Sequence, residues 1–326
     1  MKPGAAAGRD GGRAGPGPGR RAVLAGGFCL CCLPGAARSA TATGPLAVTQ
    51  VAPGVYMRRG VDEDATAANL DAIANIGFIV GRDAVLVTDS GGSLADGERL
   101  RAAIRAVTDK PIRYVVISHV HPDHGFGAGA FRPDNPVFMG HARLPQALAE
   151  RGAYYRQHLA ELLGPERTGP VVMPTLTVAD HAEIDLGERV IRFTAHGAAH
   201  TTSDLSMLDQ ASGLLLPADL LFVHRAPSLD GSLLGWLREL DRLQAVGAAR
   251  AVPGHGPVLV DWVPAATDLR HYLVALRDGT RRAVAADAGI DKAVQTVAQD
   301  ERDRWVLFDE YNGRNVTEAY RELEWE

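Results

Sequence analysis

Three histidines and an aspartate crowd into the segment "SHVHPDHG", residues 118–125. The segment follows the apolar run "IRYVVI" (112–117), whose β-branched residues predict a buried strand. Pro122 favours an extended backbone at the residue before it. His119 and His121, two positions apart in such a chain, can therefore point to the same side. Imidazole nitrogens and carboxylate oxygens suit Zn²⁺, so the segment predicts a metal site.

Asp123 and His124 follow the turn and bring the donors of this loop to four. Four are too many for one tetrahedral ion that keeps an open position, so two ions and further ligands are expected. Three candidates lie at the ends of apolar runs, where an α/β sheet presents functional residues: His200, Asp219 and His255. Each of them alone is more often a capped, solvated or turn residue than a ligand. The complete set favours a metal centre.

The elements that position these residues come in two batches of strands, each followed by helices. The first batch of predicted strands comprises a pair in 46–60 about Pro53-Gly54, then 75–81, 84–91 and 112–119. The second comprises 171–178, 189–197, 205–210, 213–219 and 250–256. Helical spacing predicts helices over 96–109, 142–164, 233–248 and 266–287, and a terminal helix from near Thr317. This order predicts an α/β protein with two halves about one stack of sheets.

The motif H-x-H-x-D-H at 119–124, with its later ligands and with Asp89 in "VTDSG", resembles the metallo-β-lactamase superfamily. The resemblance covers roughly residues 45–260 and implies an α/β fold of the αββα four-layer sandwich type. By that pattern one ion is held by His119, His121 and His200, the other by Asp123, His124 and His255, and Asp219 bridges them. The pattern also implies that Asp89 and Asp204 support the ligands without binding metal.

The resemblance and the ligand set imply a metal-dependent hydrolase with two Zn²⁺ ions as cofactors. Two ions would share a hydroxide, because metal lowers the pKa of bound water to about 7. That hydroxide would attack an ester, thioester or lactone/lactam-type carbonyl, and Asp123 would orient it or carry its proton as the catalytic residue. His224 and Arg225, in "FVHRAPSLDG", are candidates for binding an anionic group at the pocket mouth, with an ordinary surface loop as the alternative.

A closer resemblance lies in "NIGFIVG", "LDGSLLGWL" and the C-terminal "LFDEYNGRNVTEAYRELEWE". These segments are similar to exported zinc metallohydrolases that are associated with quinoprotein and sulfur-oxidation systems. This similarity implies a small-molecule substrate and a periplasmic quinoprotein system as a partner. It does not identify the substrate.

Three other functions use the same kind of site. A β-lactamase needs a pocket that grips the carboxylate of the drug, and no lysine stands in the segment after Asp219. A sulfur-oxidising enzyme of the persulfide dioxygenase type keeps similar ligands around one iron, so Fe is the alternative metal. A non-catalytic accessory factor of a quinoprotein would have no need of Asp123 as an orienting group.

The N-terminal residues 1–42 have the composition of a signal peptide. Arg20-Arg21 precede an apolar core within 22–33, and Ala40-Thr41-Ala42 forms a cleavage site of the A-x-A type. The arginine pair suggests twin-arginine export. We therefore expect a periplasmic protein without stable membrane insertion, with one hydrolase domain over 43–326 that ends in a helical extension.

Charge and cysteine content exclude further classes of function. Residues 1–42 contain all three cysteines and six basic residues against one acid, so the remaining chain has a net charge of about −10. A chain this acidic is unsuited to nucleic acid, and no thiolate is left as a ligand or nucleophile. Of the remaining histidines, His196 is expected in the core or in support of the site, and His141 is expected in solvent at a helix start.

Overall fold

A computed structural model describes residues 44–326 of the chain. The predicted signal peptide, residues 1–42, lies outside the described residues. Within 44–326, none of the helices combines the length and the apolar character that a membrane span requires.

The first sheet has seven strands in the described part of the chain, and their spatial order is their chain order. They are β1 (Thr49–Ala52), β2 (Val55–Arg58), β3 (Ile76–Val80), β4 (Val85–Thr88), β5 (Ile112–Ile117), β6 (Val137–His141) and β7 (Leu176–Val178). Pairing is antiparallel from β1 to β4 and parallel from β4 to β7.

The second sheet has six strands in the same part of the chain, in the order β13-β12-β11-β10-β9-β8. They are β8 (His181–Asp185), β9 (Val190–Ala195), β10 (Leu205–Asp209), β11 (Leu214–Phe222), β12 (Arg250–His255) and β13 (Val260–Asp261). Only the pair β11 and β12 is parallel.

The α-helices of residues 44–326 are α1 (Leu94–Val107), α2 (Pro122–Gly125), α3 (Leu144–Leu163), α4 (Pro165–Thr168), α5 (Leu233–Gln244), α6 (Trp262–Ala285), α7 (Ile290–Thr296) and α8 (Phe308–Leu323). Two 3₁₀ segments span Phe126–Asp134 and Gln299–Arg304. Serine caps fix two of the helix starts, because Ser93 accepts from Asp96 N and Ser232 accepts from Gly235 N.

The layers follow from strands that are buried on both faces. In β4, Val85 and Val87 face a core shared with Leu100 of α1, while Leu86 faces the second sheet and shares a core with Phe193. This alternation is the period of two that a strand imposes. The outer face of the second sheet is covered by α5, α6 and α8 through a separate core. The predicted αββα sandwich is confirmed.

Several element boundaries differ from the expectations. In the segment 171–178 only β7 is a strand, while β6, β8, β13 and α7 are elements that the sequence patterns do not predict. The terminal helix begins at Phe308 and not near Thr317. Thr317 lies in mid-helix, where its hydroxyl donates to Gly313 O. The prediction for His141 is wrong. It ends β6, is buried, and faces the His196 carbonyl at 3.1 Å.

Candidate metal centre

The strand ends bring the seven predicted ligands together. His119 follows β5, His200 lies in the loop from β9 to β10, Asp219 is in β11 and His255 ends β12. Two groups form, and within each group one donor atom from every residue lies within 4.8 Å of the others. The first group is His119, His121, His200 and Asp219, and the second is Asp123, His124 and His255. Both groups can hold a metal ion.

Asp219 lies between the two groups. Its Oδ2 is 3.6 Å from His119 Nε2 and 3.2 Å from His200 Nε2, both in the first group. The same oxygen is 3.3 Å from His255 Nε2, and Oδ1 is 3.0 Å from His124 Nε2, both in the second group. A carboxylate in this position can supply one oxygen to each of two ions.

The backbone of β11 and β12 fixes that carboxylate. Ala218, directly before Asp219, has φ 49°, and the pairing register of β11 with β12 shifts at this residue. A Cβ at Gly254 would lie 1.8 Å from Asp219 Oδ1, so only glycine leaves room for the carboxylate. The irregular strand and the glycine therefore place Asp219 against both groups.

Asp89 holds two of the histidines from behind. Its Oδ2 is 2.8 Å from His124 Nδ1 and accepts from the Ser118 hydroxyl at 2.8 Å, while Oδ1 accepts from Ser118 N at 2.8 Å. Ser118 Oγ in turn faces His119 Nδ1 at 3.0 Å. Asp89 is buried and in the left-handed region, with φ 59°. It thereby fixes the rings of His124 and His119 with their Nε2 atoms toward the centre of the site.

Backbone carbonyls hold two more histidines in the same way. The Nδ1 of His200 faces the Ser228 carbonyl at 2.6 Å, and the Nδ1 of His255 faces the Ile73 carbonyl at 3.0 Å. Each ring is thereby left with Nε2 toward the metal groups. Asp204 acts behind His200, where its carboxylate accepts from Thr201 N and from the Thr201 hydroxyl at 2.6 Å.

His121 has the opposite orientation. Its Nδ1 lies 3.0 Å from His200 Nε2, and its Nε2 faces Asp230 Oδ2 at 3.1 Å. Asp230 also pairs with Arg151 of α3. Burial raises the pKa of Asp230, but His121 and Arg151 outweigh it and lower the pKa to about 2. Asp230 and Arg151 are not predicted from the sequence, because nothing near either residue in the chain shows that they meet.

Two buried polar atoms test whether metal fits these residues. His124 Nε2 and Asp219 Oδ1 are inaccessible to solvent and lie 3.0 Å apart without the geometry of a hydrogen bond, and neither atom has another hydrogen-bond partner in residues 44–326. Buried polar groups without a partner cost free energy and are rare in native proteins. A cation between the two groups would satisfy both atoms. Five imidazoles and two carboxylates form a donor set that suits Zn²⁺ and also Fe²⁺ or Mn²⁺.

The protonation states of the ligands differ in the metal-free site. Burial would lower the pKa of His124, but Asp219 and Asp123 outweigh it and hold the pKa well above its usual value, so a metal ion there would displace a proton. Burial, and next to it the neighbouring His124, hold the pKa of His119 well below its usual value, so the imidazole is neutral. Burial alone would raise the pKa of Asp219, but His124 and His255 outweigh it and hold the pKa well below its usual range. Neutral imidazole and ionised carboxylate are the forms that bind metal.

A cavity of about 790 Å³ opens over this centre. From the metal groups, His121, Asp123, Asp219 and His255 line it. Asp71 also lines it, as a buried carboxyl whose pKa is raised well above its usual value by burial and by nearby Asp123. The sequence analysis did not identify Asp71, which lies in the loop between β2 and β3.

Only one of the two predicted anion-binding residues reaches the cavity. Arg225 is buried and lines it, with its guanidinium held by the Glu63 carbonyl, Asp64 and the Tyr311 hydroxyl. His224 is exposed, has φ 68°, and is not among the cavity-lining residues. The backbone turn at His224 directs the two neighbouring side chains apart.

The geometry agrees with comparisons to known proteins. The family model of the metallo-β-lactamase superfamily matches residues 71–255, more than half of the chain. A linear primary-alkylsulfatase from Pseudomonas sp. is 24% identical over 213 residues, which are 53% of this chain and 40% of that protein. The chain thus spans less than half the length of this relative.

Solved structures share the fold. A metallo-β-lactamase from Pontibacter korlensis has a TM-score of 0.57 at 18% identity, over 70% of this chain and 99% of its own. A stereoselective inverting sec-alkylsulfatase from Pseudomonas sp. has a TM-score of 0.64 at 18% identity, over 86% of this chain and 51% of its own. The chain belongs to the metallo-β-lactamase superfamily of metal-dependent hydrolases.

Proposed function

We propose that the chain is an exported dinuclear zinc hydrolase that cleaves an ester, thioester or lactone/lactam-type bond in a small molecule. One observation carries the proposal. Each of the five histidines has one ring nitrogen held by a protein group. The other nitrogen faces Asp219 in four of them, and in His121 it faces the inner nitrogens of His119 and His200. This arrangement suits two metal ions bridged by Asp219.

The metals would polarise the substrate oxygen and lower the pKa of a bound water to about 7. Asp123 would orient that water and accept its proton. Its Oδ2 is 3.2 Å from His255 Nε2 and 3.5 Å from His124 Nε2, and the residue lines the cavity. The pair of Asp230 and Arg151 holds His121 in place at the cavity wall. We assign the catalytic role to Asp123 and the positioning role to Asp230.

Sulfate esters are a second candidate substrate class. Two relatives are alkylsulfatases by name, one found by sequence and one by structure. The cavity offers arginines at its walls, and loaded metals would add positive charge at its floor. A sulfate monoester carries a permanent negative charge, which such a cavity attracts. The same metal groups would serve the cleavage of a carbonyl ester or of a sulfate ester.

The alternatives differ in what they require of the site. A β-lactamase would turn over nitrocefin. A persulfide dioxygenase would hold one iron per chain and take up oxygen. If the role is that of a non-catalytic accessory factor, a host that carries the Asp123→Ala variant would keep its normal phenotype. Export through the segment 1–42 and work beside a periplasmic quinoprotein system remain proposals from the sequence.

The test is a substrate panel on zinc-loaded protein. We would assay a 4-nitrophenyl ester, a thioester, a lactone, nitrocefin and a primary alkyl sulfate, each with wild type and with Asp123→Ala. The proposal expects turnover of at least one carbonyl substrate that Asp123→Ala reduces by at least ~100-fold. Turnover of the alkyl sulfate alone would move the assignment to sulfate esters. Zinc-loaded protein without turnover of any member would contradict a hydrolase of these classes.

A further inference from the structure

The cavity over the metal groups has two helical walls. Helix α3 contributes Arg151, Tyr154, Tyr155 and His158. Helix α8 contributes Tyr311, Arg314, Thr317, Glu318 and Arg321, whose spacing places them on one face of the helix. Helix α8 lies beyond the residues 71–255 that the family model matches. The family match therefore does not describe this wall.

Four arginines line the cavity, and three of them are already paired with carboxylates. Arg151 pairs with Asp230, Arg225 with Asp64 at 3.4 Å, and Arg321 with Glu318 at 2.8 Å. Arg314, which is exposed, is the exception, because the described residues 44–326 show no ion pair between its guanidinium and a carboxylate. Its guanidinium carbon stands 5.9 Å from the centre of the Tyr311 ring.

The charge of the lining depends on the metal groups. Apart from the buried carboxyl of Asp71, five carboxylates face four guanidinium groups: Asp64, Asp123, Asp219, Asp230 and Glu318 against the arginines of the two walls and Arg225. Two divalent cations reverse this balance to a net positive charge. The loaded cavity is then positive in a chain whose overall net charge is −5, so an anion is the ligand that it attracts.

We propose that Arg314 binds the anionic end of the substrate while the metal groups hold the bond to be cleaved. The inference rests on the proposed metal site and names the substrate class as an anionic ester. Arg314 is suited to this task because its guanidinium presents a planar fork to a carboxylate or sulfate and has no carboxylate partner of its own. Tyr155 and Tyr311, in the two walls, offer apolar surface to the part of the substrate between the two ends.

The experiment measures binding and not turnover. Isothermal titration of zinc-loaded protein would compare dicarboxylates from succinate to sebacate with the monocarboxylates of the same chain lengths. One carboxylate engages the metals in both series, and only a dicarboxylate of the right length also reaches Arg314. We expect at least one dicarboxylate to bind about fivefold more tightly than its monocarboxylate partner.

Two variants decide the matter. Arg314→Ala is expected to reduce the affinity ratio of dicarboxylate to monocarboxylate to about one, and Arg314→Lys is expected to keep part of it. Arg282→Ala is the control, because Arg282 is an exposed arginine of α6 that does not line the cavity. It is expected to keep the ratio of the wild type. An unchanged ratio in Arg314→Ala overturns the role of Arg314.

The same experiment separates this inference from the proposed function. Protein that takes up no zinc and shows no preference for dicarboxylates contradicts the metal site and the anchor together. Protein that takes up zinc but binds both series equally contradicts the anchor alone. A preference that disappears in Arg314→Ala supports the anchor even where the ester panel shows no turnover.

Discussion

Two clusters of buried histidines in this protein have opposite chemical character. The first is the metal centre. The second, which we call the closed cluster, consists of His141, His196, Ser206 and Glu239, all of them buried. His196 lies 2.9 Å from Glu239 Oε2 through Nδ1 and 2.7 Å from Ser206 Oγ through Nε2. Both of its ring nitrogens are thus satisfied by the protein.

The hydrogen bonds of the closed cluster link a serine to a histidine and the histidine to a glutamate, as in a nucleophilic triad. None of its four side chains is among those that line the cavity over the metal groups. The metal centre has the reverse character, because its inner nitrogens and oxygens face one another and two of them make no hydrogen bond within residues 44–326. Free donor atoms beside a cavity, and not residue types alone, distinguish a reactive site from a structural one.

The largest expected effect comes from removing the bridging carboxylate. Asp219→Asn keeps the shape of the side chain but replaces a charged oxygen between the two groups. We expect the zinc content to fall and hydrolysis to drop by at least ~100-fold, since even groups behind the ligands cost 10- to 100-fold. Zinc content by elemental analysis and initial rates measure this, with Ser206→Ala of the closed cluster as the control. A fully loaded and active Asp219→Asn protein would remove Asp219 from the centre.

A smaller effect is expected behind the ligands. Asp89→Asn weakens the contacts that orient His124 and His119, and we expect zinc affinity to fall by about 10- to 100-fold. Competition with a chelator of known affinity measures it. The matched variant is Glu239→Gln, which makes the same carboxylate-to-amide change in the closed cluster. If the two variants lose zinc equally, the distinction between the clusters is wrong.

The closed cluster is expected to matter for stability. Glu239 accepts from the Gly197 backbone N–H at 3.2 Å and contacts His196, so Glu239→Gln leaves one of these groups poorly paired. We expect the free energy of unfolding to fall by about 2 kcal/mol, the usual cost of a buried unpaired group. Denaturant unfolding of metal-free protein measures it. A variant as stable as the wild type would show that Glu239 does not stabilise the fold.

The pH dependence of the free energy of unfolding tests the same contact between Glu239 and His196. Burial raises the pKa of Glu239, but the hydrogen bond and the charge of His196 outweigh it and lower the pKa below the ordinary 4.5. Glu239 therefore stabilises the fold above pH 4.5, and this contribution is lost as the pH falls through its pKa in the folded state. The stability difference between wild type and Glu239→Gln should shrink on acidification in metal-free protein. A difference that stays constant with pH would contradict the pairing of His196 with ionised Glu239.

Local patterns predict an α/β protein with two halves and the side chains at the centre, whereas the αββα sandwich is implied by the resemblance that the motif at 119–124 carries. The apolar runs specify β4 and β5, and the motif at 119–124 places its donors within one turn. The short strand β8 escapes prediction, because its residues alternate between exposed and half-buried without a β-branched run. Its strand conformation comes from pairing with β9.

Contacts between segments that are far apart in the chain cannot be predicted from local sequence patterns. Asp230 meets His121 across 109 positions of the chain, and Asn75 donates to the carbonyls of Pro253 and Gly256 across the two sheets. Both residues lie in segments that carry the closer resemblance, "LDGSLLGWL" and "NIGFIVG", but nothing in those segments indicates the distant partner, so only the packed fold shows each role. The burial of His141 escapes prediction similarly, because it depends on the pairing of β6 with its neighbours.

The central claim is that the seven side chains hold two metal ions. The most direct measurement is elemental analysis of the protein purified from its native host without added metal, together with the mass of the intact native chain. The account predicts two zinc ions per chain, and loss of both metal and activity on chelation with recovery on adding zinc. One iron per chain, or a folded and active protein without metal, would contradict it.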